Sequence, residues 1–172
     1  MPARARLKPC SIVLLSAITP DNMGLVWRLA DPRFANDLEG SGNRIHGARW
    51  NSPGRGVLYT SGNLALCVLE TLVHLPGVLR SRLPPRQALR IEYPDDAETF
   101  AMALRADVRN AGKCRKAGDR WLDEGKALLL RAPSAVVPQE MNFMFNPAHP
   151  RMGEVKIVHR EAFLFDDRLL FQ

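Results

Sequence analysis

The chain has 172 residues, of which 46% are hydrophobic and 24% charged, as in an ordinary soluble globular protein. A chain of this length can bury enough apolar surface to fold without disulfides or metals, which argues against intrinsic disorder and for a single domain over residues 1–172. The three cysteines are odd in number and widely spaced, without a C-x-x-C pair. They indicate buried thiols in a reducing cytoplasm, not a disulfide framework or a zinc site.

The net charge of +6 comes mainly from arginine, since the sequence contains 19 arginines and 5 lysines. A planar guanidinium group binds phosphate or carboxylate through two hydrogen bonds at once. An anionic partner is therefore one interpretation, whether a nucleotide, a nucleic acid or an acidic protein. Because arginine codons are GC-rich, genomic base composition explains the same count, and the charge alone does not decide the function.

The first apolar stretch, Ile12–Ile18, follows three basic residues and so resembles the start of a signal peptide. It is short, and the turn residues of Thr19–Asn22 end it without a small-residue cleavage site. We interpret it as a strand. No stretch approaches the roughly 18 apolar residues that a helix needs to cross a bilayer, so no membrane association is expected.

Short strands and one clear helix are predicted in the first half. The strands are Leu25–Leu29 and Val57–Thr60. The helix has Ser61 or Asn63 as its cap and ends at Pro76. Four apolar residues at helical spacing predict a stripe that faces the core, namely Leu66, Leu69, Leu72 and Val73.

The second half is richer in strands. Alternation over Gln87–Tyr93 predicts a strand with one apolar face. A helix is predicted at Asp119–Leu130, a short strand at Pro133–Pro138, and further strands within Glu154–Asp166. Because strands and helices do not alternate strictly, the sequence predicts a mixed α+β domain with mainly antiparallel sheets and a few helices.

Familiar site motifs are not found. Gly40–Ile45 has the first two glycines of a dinucleotide-binding fingerprint but not the third, and we expect it to be a loop that opens no helix. The four histidines lack metal-ligand spacing, so no metal site is predicted. No Walker-type phosphate loop and no G-x-S-x-G elbow occur.

Some polar residues stand in otherwise apolar or structural surroundings. Arg28 lies inside an apolar strand, and Arg49 follows a glycine-containing loop. Glu70 interrupts the predicted helix, and Ser134 lies between prolines. Each alone has a structural explanation, such as a solvated strand end, a surface pair of Glu70 with His74, or a turn hydroxyl.

The blocks of sequence around these residues occur in a characteristic order. They are Trp27-Arg28, Gly47–Gly54, Val57–Thr60, Leu69-Glu70, Ala132–Pro138, Glu140–Asn142, Asn146–Pro150 and Phe165–Leu169. Together they resemble the RES-domain family, from about residue 25 to about residue 170. The family is named after an arginine, a glutamate and a serine, which correspond here to Arg28, Glu70 and Ser134.

The resemblance implies a fold similar to that of ADP-ribosyltransferase toxins of the diphtheria type. It implies an enzyme that consumes NAD as its substrate without a metal, as an NAD phosphorylase, an NAD glycohydrolase or a mono-ADP-ribosyltransferase. It also implies a bacterial toxin of a type II toxin–antitoxin system. The implied partners are NAD, inorganic phosphate or a protein as acceptor, and an antitoxin with an Xre-type helix-turn-helix domain.

On this basis the expected catalytic residues are Arg28, Glu70 and Ser134. Cleavage of the nicotinamide–ribose bond passes through an oxocarbenium-like state, and Glu70 is the carboxylate that would stabilise its positive charge. The expected NAD-binding residues are Arg28, Arg49, Tyr59, Ser134 and Asn146.

Each binding residue has an expected contact. Arg28 and Arg49 are expected at the pyrophosphate, and the ring of Tyr59 at the nicotinamide or ribose. Ser134 is expected to hydrogen-bond the carboxamide or a ribose hydroxyl. Asn142 and Asn146 are candidates for shaping the pocket, although loop capping is the simpler role for both.

Alternatives stay open at this point. The acceptor is phosphate, water or a protein side chain. A transferase that modifies a protein usually needs a second carboxylate or a docking loop to prepare the acceptor, and Glu140 is the candidate carboxylate. A basic nucleic-acid-binding protein is suggested by Arg80, Arg82, Arg86 and Arg90, but two prolines and no aromatic residue lie between them. An inactive RES-like interaction module would have lost Glu70 or an arginine, and neither is lost.

Overall fold

The computed structural model describes residues 23–75, 83–101 and 107–169. The strand predicted at Ile12–Ile18 and the helix end predicted at Pro76 lie outside the described residues. Within them the elements are β1 (Met23–Ala30), α1 (Ser41–His46), β2 (Leu58–Ser61), α2 (Leu64–His74), β3 (Arg86–Pro94), β4 (Thr99–Ala101), α3 (Ala111–Glu124), β5 (Leu129–Pro133), β6 (Met141–Phe145) and β7 (Lys156–Phe163).

The strands form one sheet in the order β4-β5-β6-β2-β1-β3-β7. β4 and β5 pair in parallel, and every other neighbouring pair is antiparallel. This arrangement confirms the predicted α+β class, and β1, β2 and β3 lie where strands were predicted. No helix in the described ranges combines the length and the apolar character that a membrane span requires.

Apolar side chains are buried on both faces of the sheet. Neighbouring residues of a strand point to opposite faces, and on β6 the fully buried Met144 and Phe145 belong to different cores. Val26 of β1 belongs to the same core as Phe145, and Trp121 of α3 belongs to the same core as Met144. Helix α3 therefore covers one face of the sheet.

Helix α2 begins as predicted but buries a different face. Asn63 caps it by accepting a hydrogen bond from the backbone N–H of Leu66 at 2.8 Å. Leu66 and Cys67 are buried, whereas Leu69 and Val73 are 40% and 49% exposed, so the predicted inward stripe is wrong for these two residues. Because the first two turns of α2 are apolar on nearly every side, spacing alone does not select the buried face.

Two boundaries in the second half also differ from prediction. Helix α3 begins after Asn110, whose side chain caps it, and ends at Gly125, which has a φ of 58°. A left-handed glycine ends a helix, so the predicted helix at Asp119–Leu130 is cut short and its last residues join β5. Of the strand predicted at Pro133–Pro138, only Pro133 lies in a strand, as the last residue of β5, and residues 134–138 belong to the bend that connects β5 to β6.

The segment around Gly40 opens a short helix, contrary to prediction. Gly40 precedes α1 with a φ of 67°, and a Cβ at this position would overlap the backbone of Val57. Only glycine combines this conformation with so close an approach. Asn43 of α1 then donates to the carbonyl oxygen of Val57 at 2.6 Å, which fixes α1 beside the start of β2.

Helix α3 fixes the loop that carries Arg49. Asp119 accepts hydrogen bonds from the backbone N–H and the hydroxyl of Ser52, at 2.9 and 2.6 Å. Gly118 is buried, and a Cβ built on it would overlap the carbonyl oxygen of Trp50. The close approach of helix and loop therefore depends on glycine.

We expect Gly118→Ala to lower the free energy of unfolding by about 1–3 kcal/mol, because the added methyl group forces the loop away from the helix. Gly112→Ala is the matched control, since its Cβ would make only an ordinary contact. That substitution should be neutral or stabilise the helix by up to about 1 kcal/mol. Urea unfolding followed by circular dichroism measures both variants, and equal stabilities would contradict the close packing.

Candidate functional site

A cleft of about 740 Å³ opens beside the central strands and α2. Four of the predicted site residues line it, namely Arg28, Arg49, Tyr59 and Glu70. The volume lies within the range of about 300–1,000 Å³ that is usual for small-molecule sites. Among the residues described, no group of three or more His, Cys, Asp or Glu side chains is arranged to hold a metal ion.

Glu70 is held at one of its two carboxylate oxygens. Its Oε1 accepts hydrogen bonds from the Ser134 hydroxyl at 2.8 Å and from the Asn142 amide at 2.6 Å. Its Oε2 lies 3.9 Å from Nε2 of His74, one helical turn further along α2, so the predicted pairing of these residues is confirmed. The Glu70 side chain is 23% exposed. Oε2 is therefore the oxygen available to a ligand in the cleft.

Ser134 lies behind this carboxylate. It is fully buried and is not among the residues that line the cleft. Its Oγ accepts hydrogen bonds from the backbone N–H groups of Val136 and Val137, each at 3.0 Å. Its single proton is donated to Glu70. The structure thus makes Ser134 a support for Glu70. Its contact with the carboxamide or the ribose of NAD stays a prediction.

Arg28 lies in the interior of the sheet, because β1 is flanked by β2 and β3. Its Nη1 donates to the backbone carbonyl of Asp37. Burial lowers the pKa of the Arg28 guanidinium, and the charge of Asp37 opposes this shift. The group keeps its charge because the ordinary pKa of arginine is so high. A half-buried cation on a central strand favours an anionic ligand in the cleft.

Arg49 lies on the loop of residues 47–54, and the same loop holds the hydroxyl of Tyr59. Nη1 of Arg49 donates to the carbonyl oxygen of Val108 at 2.8 Å. The Tyr59 hydroxyl accepts from the backbone N–H of Trp50 at 3.0 Å and donates to Oδ1 of Asn51 at 2.8 Å. Both side chains are therefore anchored at their polar ends while they line the cleft.

The structure does not bring Asn146 into the cleft. It is 3% exposed, and its Oδ1 accepts a hydrogen bond from the backbone N–H of Ala148 at 3.0 Å. It borders a separate hollow of about 290 Å³ beside Arg44 and Arg55. The hydrogen bond is the loop capping considered as the simpler role for Asn146, and its role in binding NAD stays a prediction.

Asn142 does belong to the site, although loop capping was expected for it. It lies on β6, lines the cleft and donates to Glu70. The signal in the sequence is its position as a polar residue within the otherwise apolar segment Met141–Phe145. Such a residue on an interior strand needs a polar partner.

Arg86 also lines the cleft, although the sequence analysis named it only as part of a basic segment and not as a residue of the NAD site. Its side chain is 16% exposed, and its Nη1 lies 3.5 Å from the carboxylate of Asp31. Hydrogen bonds from the side chain and backbone of Arg33 lower the pKa of Asp31 to about 2, so this carboxylate is ionised at neutral pH. No local pattern distinguishes Arg86 from the other arginines of the sequence.

Comparison with known proteins identifies the family. The family model of the RES domain matches residues 25–166. The chain belongs to the RES domain family. A Sphingobium sp. protein named Prs ADP-ribosylating toxin is 35% identical over 156 residues, covering 84% of this chain and 95% of that protein. A Pseudomonas putida protein named Toxin Res is 35% identical over 147 residues, covering 84% of this chain and 99% of that protein.

The fold is also found in a solved structure. A chain in the crystal structure of the M. tuberculosis MbcT–MbcA toxin–antitoxin complex matches with a TM-score of 0.64 and 14% identity. The match covers 82% of this chain and 84% of that chain. At this identity the likeness concerns the fold alone. The family and the fold class predicted from the sequence are both confirmed.

The tyrosines provide a test of the site's packing. Burial raises the pKa of Tyr59 and that of Tyr93, the only tyrosines in the sequence. Because a buried phenolate is poorly solvated, we expect little ionisation in the folded protein at pH 10, where a free tyrosine is about half ionised. Absorbance at 295 nm measures the phenolate, and Tyr59→Phe should remove the contribution of Tyr59. Half-ionisation of both groups near pH 10 in the folded protein would contradict the packing.

Proposed function

We propose that this chain is the toxin of a bacterial type II toxin–antitoxin system and that it cleaves the nicotinamide–ribose bond of NAD. Its RES-family relatives support the proposal, since one is named an ADP-ribosylating toxin and another Toxin Res. The observation that carries the chemistry is a Glu70 carboxylate held by two donors in a cleft that also contains Arg28 and Arg49.

Cleavage of this bond requires a carboxylate that stabilises positive charge, and it does not require a general acid that protonates the leaving group. The electron pair of the C1′–N bond moves onto the pyridinium ring, so nicotinamide leaves as a neutral molecule and needs no proton. Positive charge develops at C1′ of the ribose in an oxocarbenium-like transition state. Oε2 of Glu70 would face that charge while Oε1 stays tied to the sheet. A carboxylate that is already oriented stabilises the transition state without first reorganising.

The arginines suit the pyrophosphate of NAD. Arg28 and Arg49 line the same cleft as Glu70, and the donors of their guanidinium groups match phosphate oxygens in pairs. The anchored ring of Tyr59 offers a flat surface to the nicotinamide or its ribose. Binding of this kind holds C1′ beside Glu70, and such positioning accounts for a large part of catalysis.

A small acceptor is favoured over a protein side chain. A transferase that modifies a protein requires a group to prepare the acceptor, and Glu140 was the candidate carboxylate. Glu140 is exposed and is not among the lining residues, and its Oε2 accepts a hydrogen bond from Asn63 at 2.8 Å. We therefore propose inorganic phosphate or water as the acceptor at C1′.

The proposed protein partner is an antitoxin with an Xre-type helix-turn-helix domain, in the cytoplasm where NAD is present. The similar fold comes from a toxin–antitoxin complex, which supports an antitoxin partner. Leu69 and Val73 are exposed on α2, on either side of Glu70 in the sequence. A partner that covers these apolar side chains would lie beside the cleft.

The two alternative functions have less support. Of the basic segment that suggested nucleic-acid binding, Arg80 and Arg82 lie outside the described residues, and Arg86 faces Asp31 in the cleft. An inactive interaction module would not need a carboxylate oriented by two donors.

The experiment that tests the function is incubation of the purified chain with NAD, with and without phosphate. We expect release of nicotinamide, and mass spectrometry of the second product distinguishes ADP-ribose from its phosphate ester. Glu70→Gln should lower the rate at least about 100-fold, because a neutral amide does not stabilise the developing charge. Expression of the unmodified chain should arrest growth and deplete cellular NAD, and the variant should do neither.

Glu161→Gln is the control for this substitution, since it makes the same change on the exposed edge strand β7 and should leave the rate unaltered. An NAD pool unchanged by the unmodified chain, together with no release of nicotinamide in solution, would refute the proposed function.

Arg49→Ala should act on binding. We expect it to raise KM for NAD about 10- to 100-fold with a smaller change in kcat, because a charge-assisted hydrogen bond is lost in the ground state and the transition state alike. Arg49→Lys should restore only part of the affinity, since an ammonium group does not bind phosphate through two parallel bonds. Arg120→Ala, an exposed residue of α3, is the control. Steady-state kinetics measures all three, and an unchanged KM for Arg49→Ala would exclude contact with NAD.

A further inference from the structure

Ser61 and Asn142 lie side by side on adjacent strands of the sheet, next to Glu70. The strand register pairs these residues of β2 and β6. Oγ of Ser61 donates to Oδ1 of Asn142 at 2.7 Å, and Nδ2 of Asn142 donates to Oε1 of Glu70 at 2.6 Å. Three side chains from three elements therefore form a directional chain of hydrogen bonds that ends on the carboxylate.

The direction of this chain follows from the groups involved. An ionised carboxylate only accepts hydrogen bonds, so Asn142 must turn its NH₂ group toward Glu70 and its carbonyl oxygen toward Ser61. A flipped amide would place its oxygen at the same 2.6 Å from the carboxylate, where the two acceptors repel. After a flip the Ser61 hydroxyl could accept from the NH₂ group, but its own proton would lose the carbonyl oxygen as acceptor and keep only the weakly accepting thiol of Cys67. Ser61 therefore opposes the flip.

The carbonyl oxygen of Asn142 is the stronger acceptor near the Ser61 proton, and the thiol of Cys67 competes for it only weakly. Ser61 is 4% exposed, which limits competition from water. The thiol of Cys67 is a polar neighbour of Ser61, and burial raises the pKa of this thiol to about 11. The thiol therefore stays protonated, donates to the carbonyl oxygen of Trp27 at 3.2 Å, and is only a weak acceptor. The Ser61 hydroxyl therefore keeps its proton and donates it in a hydrogen bond to Oδ1 of Asn142.

We propose that Ser61 is a positioning residue for NAD cleavage, acting through Asn142 by locking the amide in the orientation that donates to Glu70. The inference rests on the proposed function and extends it to two residues of the sheet. Ser134 holds the same Oε1 from a buried position but cannot orient the Asn142 amide. Loss of Ser61 removes no charge and leaves Glu70 and the arginines in place. Because Ser61 also lines the cleft, the double variant with Asn142 separates orientation of the amide from a direct contact with the ligand.

Kinetics of single and double variants test this inference. We expect Ser61→Ala to lower kcat about 3- to 10-fold and Asn142→Ala about 10- to 100-fold, with KM little changed, because misplacing a reacting group costs up to about 100-fold. In the Asn142→Ala background, Ser61→Ala should have no further effect, since Ser61 acts only through Asn142. Ser61→Thr keeps the hydroxyl and should restore most of kcat.

The outcomes distinguish this inference from the proposed function. An unchanged kcat in Ser61→Ala, or effects that multiply in the double variant, overturns the inference while NAD cleavage by the unmodified chain stands. An unmodified chain that leaves NAD intact overturns both. Thr99→Val is the matched control, because it removes a hydroxyl that donates to the carbonyl oxygen of Ala97 on the edge strand β4. Its kcat should equal that of the unmodified chain.

Discussion

The attachment of one carboxylate to the sheet determines whether the site exists. Glu70 lies on α2, and its Oε1 is tied to Ser134 after β5 and to Asn142 on β6, which are 64 and 72 residues away in the sequence. Hydrogen bonds to an ionised group are roughly twice as strong as neutral ones. They leave Oε2 without a bond to the sheet, beside His74, which lines the cleft as Glu70 does. Helix α2 forms from neighbouring residues, but its orientation becomes fixed only when β5 and β6, which are distant in sequence, have paired.

The positive charge available in the cleft depends on the group to which each arginine donates its hydrogen bonds. Arg28 and Arg49 each donate to a backbone carbonyl, whereas Arg86 is paired with the carboxylate of Asp31. A carbonyl oxygen carries only a partial charge, so Arg49 keeps most of its positive charge for a ligand, whereas the charge of Asp37, which also lines the cleft, partly offsets that of Arg28. Glu70 supplies the opposite sign in the same cleft. The site is therefore complementary to a ligand with an anionic part and a part that becomes cationic, as the phosphates and the reacting ribose of NAD do.

The sequence predicted which residues meet better than it predicted what each one does. Arg28 and Glu70 could be singled out because a charge inside an apolar segment demands a partner, and both reach the cleft. Ser134 was found for its family motif, but its burial behind Glu70 depends on a bend after β5 that has no local periodicity. Asn142 and Asn146 are four residues apart and look alike in sequence. Only the strand register brings Asn142 to Glu70 and leaves Asn146 to cap a loop.

Local sequence also could not predict which face of α2 is buried. The early turns of the helix are apolar on nearly every side, and it packs through Leu66 and Cys67, near its start. At the level of Glu70 the neighbouring Leu69 and Val73 are exposed, so these two side chains do not fix the helix there. The hydrogen bonds from Ser134 and Asn142 supply what packing does not. Helix α2 therefore exposes Leu69 and Val73 and still holds Glu70 firmly. The hydrogen bonds to Glu70 orient this part of the helix.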